Sequence, residues 1–284
     1  MANLKDIKRR ITSVKKTRQI TSAMKLVAGA KLRKATENAV SARPYQQQLS
    51  EVLSRVAAKA GAEVSDPLLE QRATVNKTLI FVLTSDRGLC GPFNNTLLRR
   101  TIDFLSDKGD VDVVVYGRKG SDFCKSRKIE MLDAVIGYGT TPVMELVRNV
   151  CDRAVTGFGD GTYDEVYLVS NDFVNVITQV PTFSRLLPME VAAAEGGGDG
   201  PDYDYEPSAQ EVLARLLPLF LRTKVLQAFL ETEAGQHAAR MTAMDNATRN
   251  ASDLIDKLTL DYNRARQAAI TTEIIEIVSG AQAL

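Results

Sequence analysis

The chain has 284 residues, of which 44% are hydrophobic and 25% charged, the composition of an ordinary soluble protein that can bury a core. Its net charge is only +1, so overall charge does not point to a nucleic-acid partner. No run of eighteen apolar residues exists, and the sequence therefore predicts no membrane span. Only 6% of residues are aromatic and Trp is absent, which favours extended helices with narrow apolar seams over one thick core.

Cysteine and histidine content restricts the possible chemistry. Cys90, Cys124 and Cys151 are an odd number without CxxC or zinc-ligand spacing, so we expect reduced thiols in a cytosolic compartment. His237 is the only histidine, which excludes a His-rich metal centre and argues against a His-dependent catalytic triad. The sequence therefore predicts no metal, no cofactor and no catalytic residue.

The N-terminal residues predict one long helix, from Leu4 to about Ala60, with Gly61 as its C-cap. Pro44 lies inside this helix, and because proline kinks a helix that continues past it we expect a bend there. The start is basic like a transit peptide, but its heptad pattern continues for about fifty residues, so we expect it to belong to the mature structure. The apolar residues at heptad spacing are Leu4, Ile7, Ile11, Val14, Ile20, Met24, Val27, Ala35, Ala39, Ala42, Leu49, Val52 and Val56.

Residues 1–43 form a cationic strip on this helix. They contain twelve Lys or Arg against Asp6 and Glu37, a local charge of +10. The solvated face of a coiled coil is one interpretation, and an acidic partner, which so few acidic residues also favour, is the other.

The middle of the chain predicts a small open α/β domain. Residues 78–84 and 111–116 are continuous apolar runs typical of strands buried on both faces, and residues 93–106 between them have helical spacing. This order predicts a strand, helix, strand unit with a parallel sheet. The other predicted elements are a strand at 134–137, a helix at 142–158, and a hairpin of strands 163–170 and 174–180 that turns at Asn171 and Asp172.

Two glycine-containing turns in this domain resemble phosphate sites. The turn at 85–92 connects a strand to a helix N-terminus, and residues 117–121 are a weaker example. Neither has the spacing of a P-loop or of a dinucleotide fingerprint, so Gly88 and Gly91 fit a tight crossover turn better. Cys90 is close in sequence to Arg87, but a lone thiol at a turn is more often structural than nucleophilic.

The end of the chain predicts one very long helix. Between Leu219 and Ser279 there is no Pro and only one interior Gly, so an unbroken helix would extend roughly 90 Å. We expect Pro218 to separate this helix from a short lead-in helix before it. A helix this long needs a partner along its apolar seam, which consists of Met241, Met244, Thr248, Ala251, Ile255, Leu258, Tyr262, Ala265, Ala269 and Thr272.

We therefore predict a mixed α+β fold in which the N- and C-terminal helices form a long antiparallel coiled coil that carries an inserted Rossmann-like domain. The predicted parts are a coiled-coil helix at 1–60, the α/β domain at 75–194, a mobile Gly- and Asp-rich loop at 195–207 and a coiled-coil helix at 208–284. The last helix ends with almost no polar face. A helix that is apolar all round is buried all round, so its tip must lie inside a larger assembly.

Three stretches of the chain, residues 7–34, 85–91 and 240–284, resemble the gamma subunit of bacterial F-type, proton-translocating ATP synthases, and the resemblance extends over essentially the full length. It implies a noncatalytic central stalk that transmits proton-driven rotation of a membrane ring to three catalytic sites for ATP synthesis, and the reverse on hydrolysis. The implied partners are three alpha and three beta subunits, the epsilon subunit and the c-subunit ring. The implied location is peripheral, on the cytoplasmic face of the bacterial inner membrane.

The resemblance also implies three sets of contact residues. Those that match head contacts are Lys8, Arg9, Arg10, Met24, Lys25, Arg266, Gln267 and Thr271. Those that match a bearing tip are Ile274, Ile275, Ile277 and Val278, and those that match the ring contact are Tyr203, Tyr205 and Glu206. The regulatory cysteine insertion of photosynthetic relatives is missing, so thiol switching is not implied.

A second interpretation is a free-standing coiled-coil scaffold whose α/β domain binds a small anionic ligand. The turns at 85–92 and 117–121 would then form its site. Nucleotide binding by the isolated chain would distinguish this scaffold from a rotor.

Overall fold

The computed structural model describes residues 4–60, 66–190, 205–206 and 208–282. The predicted C-cap Gly61 lies outside the described residues, as does the predicted loop at 195–207 apart from residues 205 and 206. Within the described ranges, no helix is both long enough and apolar enough to cross a membrane.

The chain divides into two compact units, one formed by Met1–Gly29 with Arg240–Leu284 and the other by Ala30–Ala239. The longest helices, α1 and α5, contribute residues to both units. In chain order the elements are α1 (Leu4–Ala60), β1 (Lys77–Leu83), α2 (Phe93–Ser106), β2 (Asp110–Tyr116), α3 (Arg118–Arg127), β3 (Asp133–Val135), α4 (Val143–Gly159), β4 (Glu165–Phe173), β5 (Gln179–Leu187) and α5 (Ala209–Gln282).

The second unit contains a five-stranded sheet with the strand order β3-β2-β1-β4-β5. The central strand β1 pairs in parallel with β2 and with β4, and β3 is parallel to β2. At the other edge β5 pairs antiparallel with β4. Parallel neighbours need crossover connections, and α2, α3 and α4 provide them. The predicted open α/β domain is confirmed.

Alternate residues of β1 face opposite sides of this sheet, as strand geometry requires. Leu79, Phe81 and Leu83 lie in one apolar core with residues of α1, α4 and α5, whereas Ile80 and Val82 lie in a second core with residues of α2 and α3. All five side chains are at most 1% exposed. Because helices cover both faces, the strand is a continuous apolar run in the sequence.

The hairpin at β4 and β5 differs from the prediction, which was wrong about its turn. Asn171 and Asp172 belong to β4, which continues to Phe173, and residues 174–178 form the turn. The strand continues because Asp172 Oδ2 accepts a hydrogen bond from the Thr182 hydroxyl across the pair at 2.7 Å. Tertiary contacts therefore override the turn preference of an Asn-Asp dipeptide.

Helix α3 was not predicted, because its ten residues include few apolar ones. It begins after Gly117, whose φ is +104°. A Cβ at this position would lie 2.3 Å from the carbonyl oxygen of Thr84, so only glycine fits. The close approach of the two turns thus fixes where α3 begins.

The prediction of a separate helix before Pro218 was wrong, since α5 runs unbroken through that residue. Proline removes one backbone donor, but Leu213, Leu217 and Leu221 pack into the core on both sides of it and are at most 1% exposed. Helix α1 likewise continues through Pro44.

A polar clamp, formed by Arg43, Phe173, Gln227 and Glu231, fastens α1 and α5 to the end of β4. Arg43 donates from Nε to Glu231 Oε1 at 3.1 Å and from Nη2 to the Phe173 carbonyl at 2.6 Å. The Glu231 carboxylate also accepts from the Phe173 amide at 3.0 Å and from Gln227 Nε2 at 2.6 Å. The same Gln227 nitrogen donates to the Ala39 carbonyl of α1 at 3.2 Å. Three elements of the second unit therefore meet at one carboxylate.

The first unit is an antiparallel pair of helices, as predicted. Its interhelical contacts pair Thr21 with Thr248, Lys25 with Asp245, and Gly29 with Met241. The residue number rises along α1 as it falls along α5, which defines the antiparallel direction. In this register Leu4 lies opposite about residue 266.

Burial along α5 follows the predicted seam as far as Ala269, but the prediction was wrong for Thr272, which is exposed. Ala251 and Ile255 are buried, and Leu258, Tyr262, Ala265 and Ala269 are half-buried between exposed neighbours. The seam ends there, because every side chain from Ile270 to Ser279 is exposed.

Burial along α1 corrects the predicted seam at two positions. Ile20 and Val27 are 60% and 58% exposed, whereas their neighbours Thr21 and Ala28 are 9% and 2% exposed. Heptad spacing from Val14 reaches Thr21 and Ala28, and these small residues let the helices approach closely. The larger apolar side chains were the wrong choice for the seam.

Candidate functional site

The turns after β1 and β2 fill the position at which a phosphate could bind. Asp86 Oδ1 accepts hydrogen bonds from the amides of Arg118 at 3.0 Å and Gly137 at 2.8 Å. The amides of Lys119 and Gly120, also in the first turn of α3, donate to the Ser85 carbonyl and to the Thr84 hydroxyl at 3.1 and 2.9 Å. A helix N-terminus attracts anions through such free amides. Here the chain's own carboxylate and oxygens occupy them, so the geometry disfavours an anion site at the start of α3.

The cysteines are placed for packing and not for reaction. Burial raises the pKa of Cys151 to about 12 and also raises the pKa of Cys124, so both thiols stay protonated at neutral pH. Cys90 is buried, and its sulfur accepts a hydrogen bond from Asn94 Nδ2 at 3.1 Å. The same Asn94 amide donates to the Ser85 hydroxyl at 2.8 Å, so the thiol belongs to the network that shapes the turn.

The cationic strip presents side chains to solvent at the start of α1. Lys8, Arg9 and Arg10 are all exposed, and they follow Ile7, which is buried in the seam. The antiparallel register places them opposite residues near 261, about one turn of α5 from Arg266. Two polar groups that the sequence places at opposite ends of the chain therefore lie on one end of the first unit.

Met24 and Lys25 lie further along α1 and are half-buried. The Lys25 ammonium contacts Asp245 Oδ1 of α5 at 2.6 Å. Lys25 thus pairs with Asp245 of the same chain, a contact that the sequence does not predict.

The end of α5 carries the remaining predicted head and tip residues. Arg266, Gln267 and Thr271 are exposed, and the Thr271 hydroxyl donates to the Gln267 carbonyl at 2.9 Å. The four tip residues are also exposed, at 55%, 58%, 71% and 50% for Ile274, Ile275, Ile277 and Val278. Contiguous apolar side chains exposed on one helix mark an interaction surface.

The predicted ring-contact residues are described only in part, because Tyr203 lies outside the described residues. Tyr205 packs at the margin of the core that holds Phe81, and Glu206 beside it is exposed.

An apolar surface on α1, within the residues of the cationic strip, was not predicted from the sequence. Ile20, Leu26 and Val27 are 60%, 71% and 58% exposed. Next to them is an open groove lined by Arg18, Gln19, Ser22, Ala23, Leu26 and Thr248. The sequence analysis assigned Ile20 and Val27 to the seam, although heptad spacing counted from Val14 leads to Thr21 and Ala28 instead. Cations beside exposed apolar side chains fit a partner that is both acidic and apolar.

Three features define the class of protein. These are terminal helices that pair as a coiled coil, an inserted α/β domain, and exposed candidate contact residues on the two helices. The family profile described as "ATP synthase" matches residues 3–284. The ATP synthase gamma chain of Pelotomaculum thermopropionicum is 46% identical over 285 residues, and that of Desulforamulus reducens is 48% identical over 289, with 100% of both chains covered in each case. The chain belongs to the ATP synthase gamma chain family.

Solved structures agree with the fold. A chain in the Euglena gracilis mitochondrial ATP synthase, in a structure of its OSCP/F1/c-ring, matches with a TM-score of 0.70 at 18% identity, covering 99% of this chain and 94% of that one. A chain in the central stalk and c-ring structure of the Tetrahymena thermophila enzyme matches with a TM-score of 0.61 at 24% identity, covering 80% of this chain and 99% of that one.

Proposed function

We propose that this chain is the noncatalytic central-stalk rotor of an F-type ATP synthase, which transmits proton-driven rotation to the catalytic sites for ATP synthesis and transmits the reverse rotation on hydrolysis. The single observation that carries the proposal beyond family membership is the end of α5. There, ten consecutive side chains from Ile270 to Ser279 are exposed, many of them apolar. Exposed apolar side chains grouped on one helix end mark a surface that a partner covers.

The proposed partners are three alpha and three beta subunits around the helix end, the epsilon subunit and the c-subunit ring. Nucleic acid is not among them, since the net charge is +1. The proposed location is peripheral, at the cytoplasmic face of the bacterial inner membrane. Isolation of the chain from its host under mild conditions tests this assignment, because the subunit masses of a complete synthase should accompany it.

The proposed roles of the surfaces follow their chemistry. The exposed Lys8, Arg9 and Arg10 face acidic loops of the catalytic subunits, here called acidic levers, and Met24 belongs to the same contact. Arg266, Gln267 and Thr271 hydrogen-bond one catalytic subunit at a time. The tip residues from Ile274 to Val278 turn in an apolar sleeve. The segment with Tyr203, Tyr205 and Glu206 rests on the membrane ring. Residues 75–194 form the domain that accompanies this ring contact.

We expect the isolated full-length chain neither to bind nor to hydrolyse ATP. The reason is that Asp86 and its neighbours occupy the donors of α3 that a phosphate would need. Equilibrium dialysis against ATP and ADP and a phosphate-release assay measure the two properties. Turnover by the pure chain that disappears on mutation of Arg87 or Lys119 would contradict the rotor proposal and favour the anion-binding scaffold.

We expect the triple variant Lys8→Glu, Arg9→Glu, Arg10→Glu to weaken coupling in the assembled complex, because it places like charge against acidic levers. ATP-driven proton pumping should fall more than ATP hydrolysis. The matched triple variant to Gln removes charge without reversing it and should have an intermediate effect. Salt should reduce the difference between the two variants, because it screens exposed charges. Unchanged pumping in the Glu variant at low salt would show that the strip is only solvated.

A further inference from the structure

The seam of the first unit joins small side chains to flexible ones around the middle of its contact. There α1 places the small Thr21, Ala28 and Gly29 in the seam, and α5 faces them with Met241, whose sulfur would lie 3.4 Å from a Cβ on Gly29, and with Met244, which is 4% exposed. Methionine side chains are unbranched and flexible and adapt to different neighbours, so they fill a seam without fixing one position along it. Packing alone therefore defines the register of α1 on α5 weakly.

Lys25 and Thr248 make polar contacts across this seam. Lys25 Nζ donates to Asp245 Oδ1 at 2.6 Å, and the Thr248 hydroxyl donates to the Thr21 hydroxyl at 2.8 Å. The pairs lie one helical turn apart, four residues on α1 and three on α5, so both form in only one register. Polar groups at seam positions specify register in coiled coils for this reason.

Asp245 is held on both carboxylate oxygens. Lys25 binds Oδ1 from α1, and Arg249 Nη2 binds Oδ2 from the next turn of α5 at 2.7 Å. The Lys25 hydrogen bond, with the charge of Arg249, lowers the pKa of the Asp245 carboxyl. The Asp245 side chain is 23% exposed against 75% for Arg249, so Asp245 is fixed at the seam while Arg249 can turn to solvent.

We propose that Lys25 and Asp245, with Thr21 and Thr248, form a register lock between α1 and α5, and that Lys25 is a positioning residue that acts through α5 and not by direct contact with the catalytic head. The functional part of this inference rests on the proposed rotor function, whereas the lock itself does not. A slip of one turn would move Lys8 by about 6 Å relative to Arg266. Lys8 and Arg266 must both meet fixed surfaces of the same surrounding head, so such a slip would misalign one of the two residues.

The structural test measures register directly in the full-length chain. Gly29→Cys with Met241→Cys places two thiols in one layer of the seam, where a Cβ on Gly29 already meets Met241 Sδ at 3.4 Å. We expect the disulfide yield to fall about threefold or more when Lys25→Glu or Asp245→Lys is added, and to recover when both are present. Arg33→Glu is the control with the same charge change as Lys25→Glu, since Arg33 pairs with Glu37 of its own helix, and it should leave the yield unchanged. Equal yields in all variants would overturn the lock.

The functional test uses the assembled complex and the same substitutions without the added cysteines. Lys25→Glu and Asp245→Lys should each lower ATP-driven proton pumping about threefold to tenfold relative to hydrolysis, and the combined variant should return to within about twofold of the original chain. If Lys25 acted on an acidic partner, the reversed charge would still repel that partner in the combined variant. Loss of pumping without rescue, although the disulfide yield recovers, would therefore overturn the positioning role. Failure of the original chain to assemble with alpha and beta subunits would refute the proposed function and leave the register result standing.

Discussion

Replacement of Arg43 by Met should destabilise the chain by about 3–5 kcal/mol, because it leaves a buried carboxylate without its cation. The Glu231 side chain is 11% exposed, and its other hydrogen bonds, from the Phe173 amide and from Gln227, do not supply a full positive charge. Chemical denaturation of the purified full-length chain, followed by helical circular dichroism, measures the loss. The second unit should unfold at lower denaturant, since the clamp holds both long helices to β4.

Two matched variants give this prediction its control. Glu37→Gln removes one partner of the ion pair with Arg33 on the same helix. The Arg33 and Glu37 side chains are 85% and 65% exposed, so this variant should lower the free energy of unfolding by less than about 0.5 kcal/mol. Arg43→Met with Glu231→Gln removes both charges and should recover part of the stability, because no charge is then buried alone. Equal and small losses in all three variants would contradict the clamp.

The long-range ion pairs mark where sequence-based prediction stopped. The α5 seam was predicted because a repeated period of seven needs no knowledge of the partner. Lys25 and Asp245 are 220 residues apart in the chain, and Arg43 and Glu231 are 188 apart. Each side chain alone reads as an ordinary surface charge, so nothing local identifies its partner.

The parts of the α/β domain that were predicted also follow from patterns local to the sequence. Strands β1 and β2 are continuous apolar runs, and α2 has its own amphipathic spacing, so local patterns were sufficient. Helix α3 depends on the contact between Gly117 and Thr84, and the hairpin turn depends on the bond between Thr182 and Asp172. These contacts exist only in the folded sheet.

The candidate site also has parts that the sequence indicates and parts that only the folded chain shows. The sequence pointed to the turn at 85–92 as a weak lookalike of a phosphate site that does not match a P-loop. The sequence could not show that Asp86 accepts a hydrogen bond at the N-terminus of α3, because this needs the positions of the Arg118 and Gly137 amides. The exposed Ile20 and Val27 were hidden by the preference for large residues in a seam.

Loss of the polar groups of Arg266 and Gln267 should damage coupled turnover more than removal of residues 279–284. Dispersion and area burial are non-directional, so rotation of the apolar end of α5 that begins at Ile274 should cost little at any angle, and removal of its last six residues should lower assembly or speed only modestly. Arg266 and Gln267 offer directional donors, and a charge-assisted bond made at one angle and broken at the next supplies roughly 1.5–3 kcal/mol of angular preference. The Thr271 hydroxyl already donates to Gln267 of its own helix, so it contributes less.

The comparison is between Arg266→Ala with Gln267→Leu and the deletion of residues 279–284, each in the assembled complex. Subunit recovery, ATP hydrolysis and ATP-driven proton pumping are measured for both. The first variant should assemble normally and lose roughly tenfold or more in coupled turnover, the rate equivalent of the lower bound on angular preference. Arg264→Ala is the control, because it removes an exposed cation two residues away, on the opposite face of the helix, and should change little. Equal or greater loss of coupling in the deletion would show instead that the last residues of the chain hold the angle, and the directional role of Arg266 and Gln267 would then be wrong.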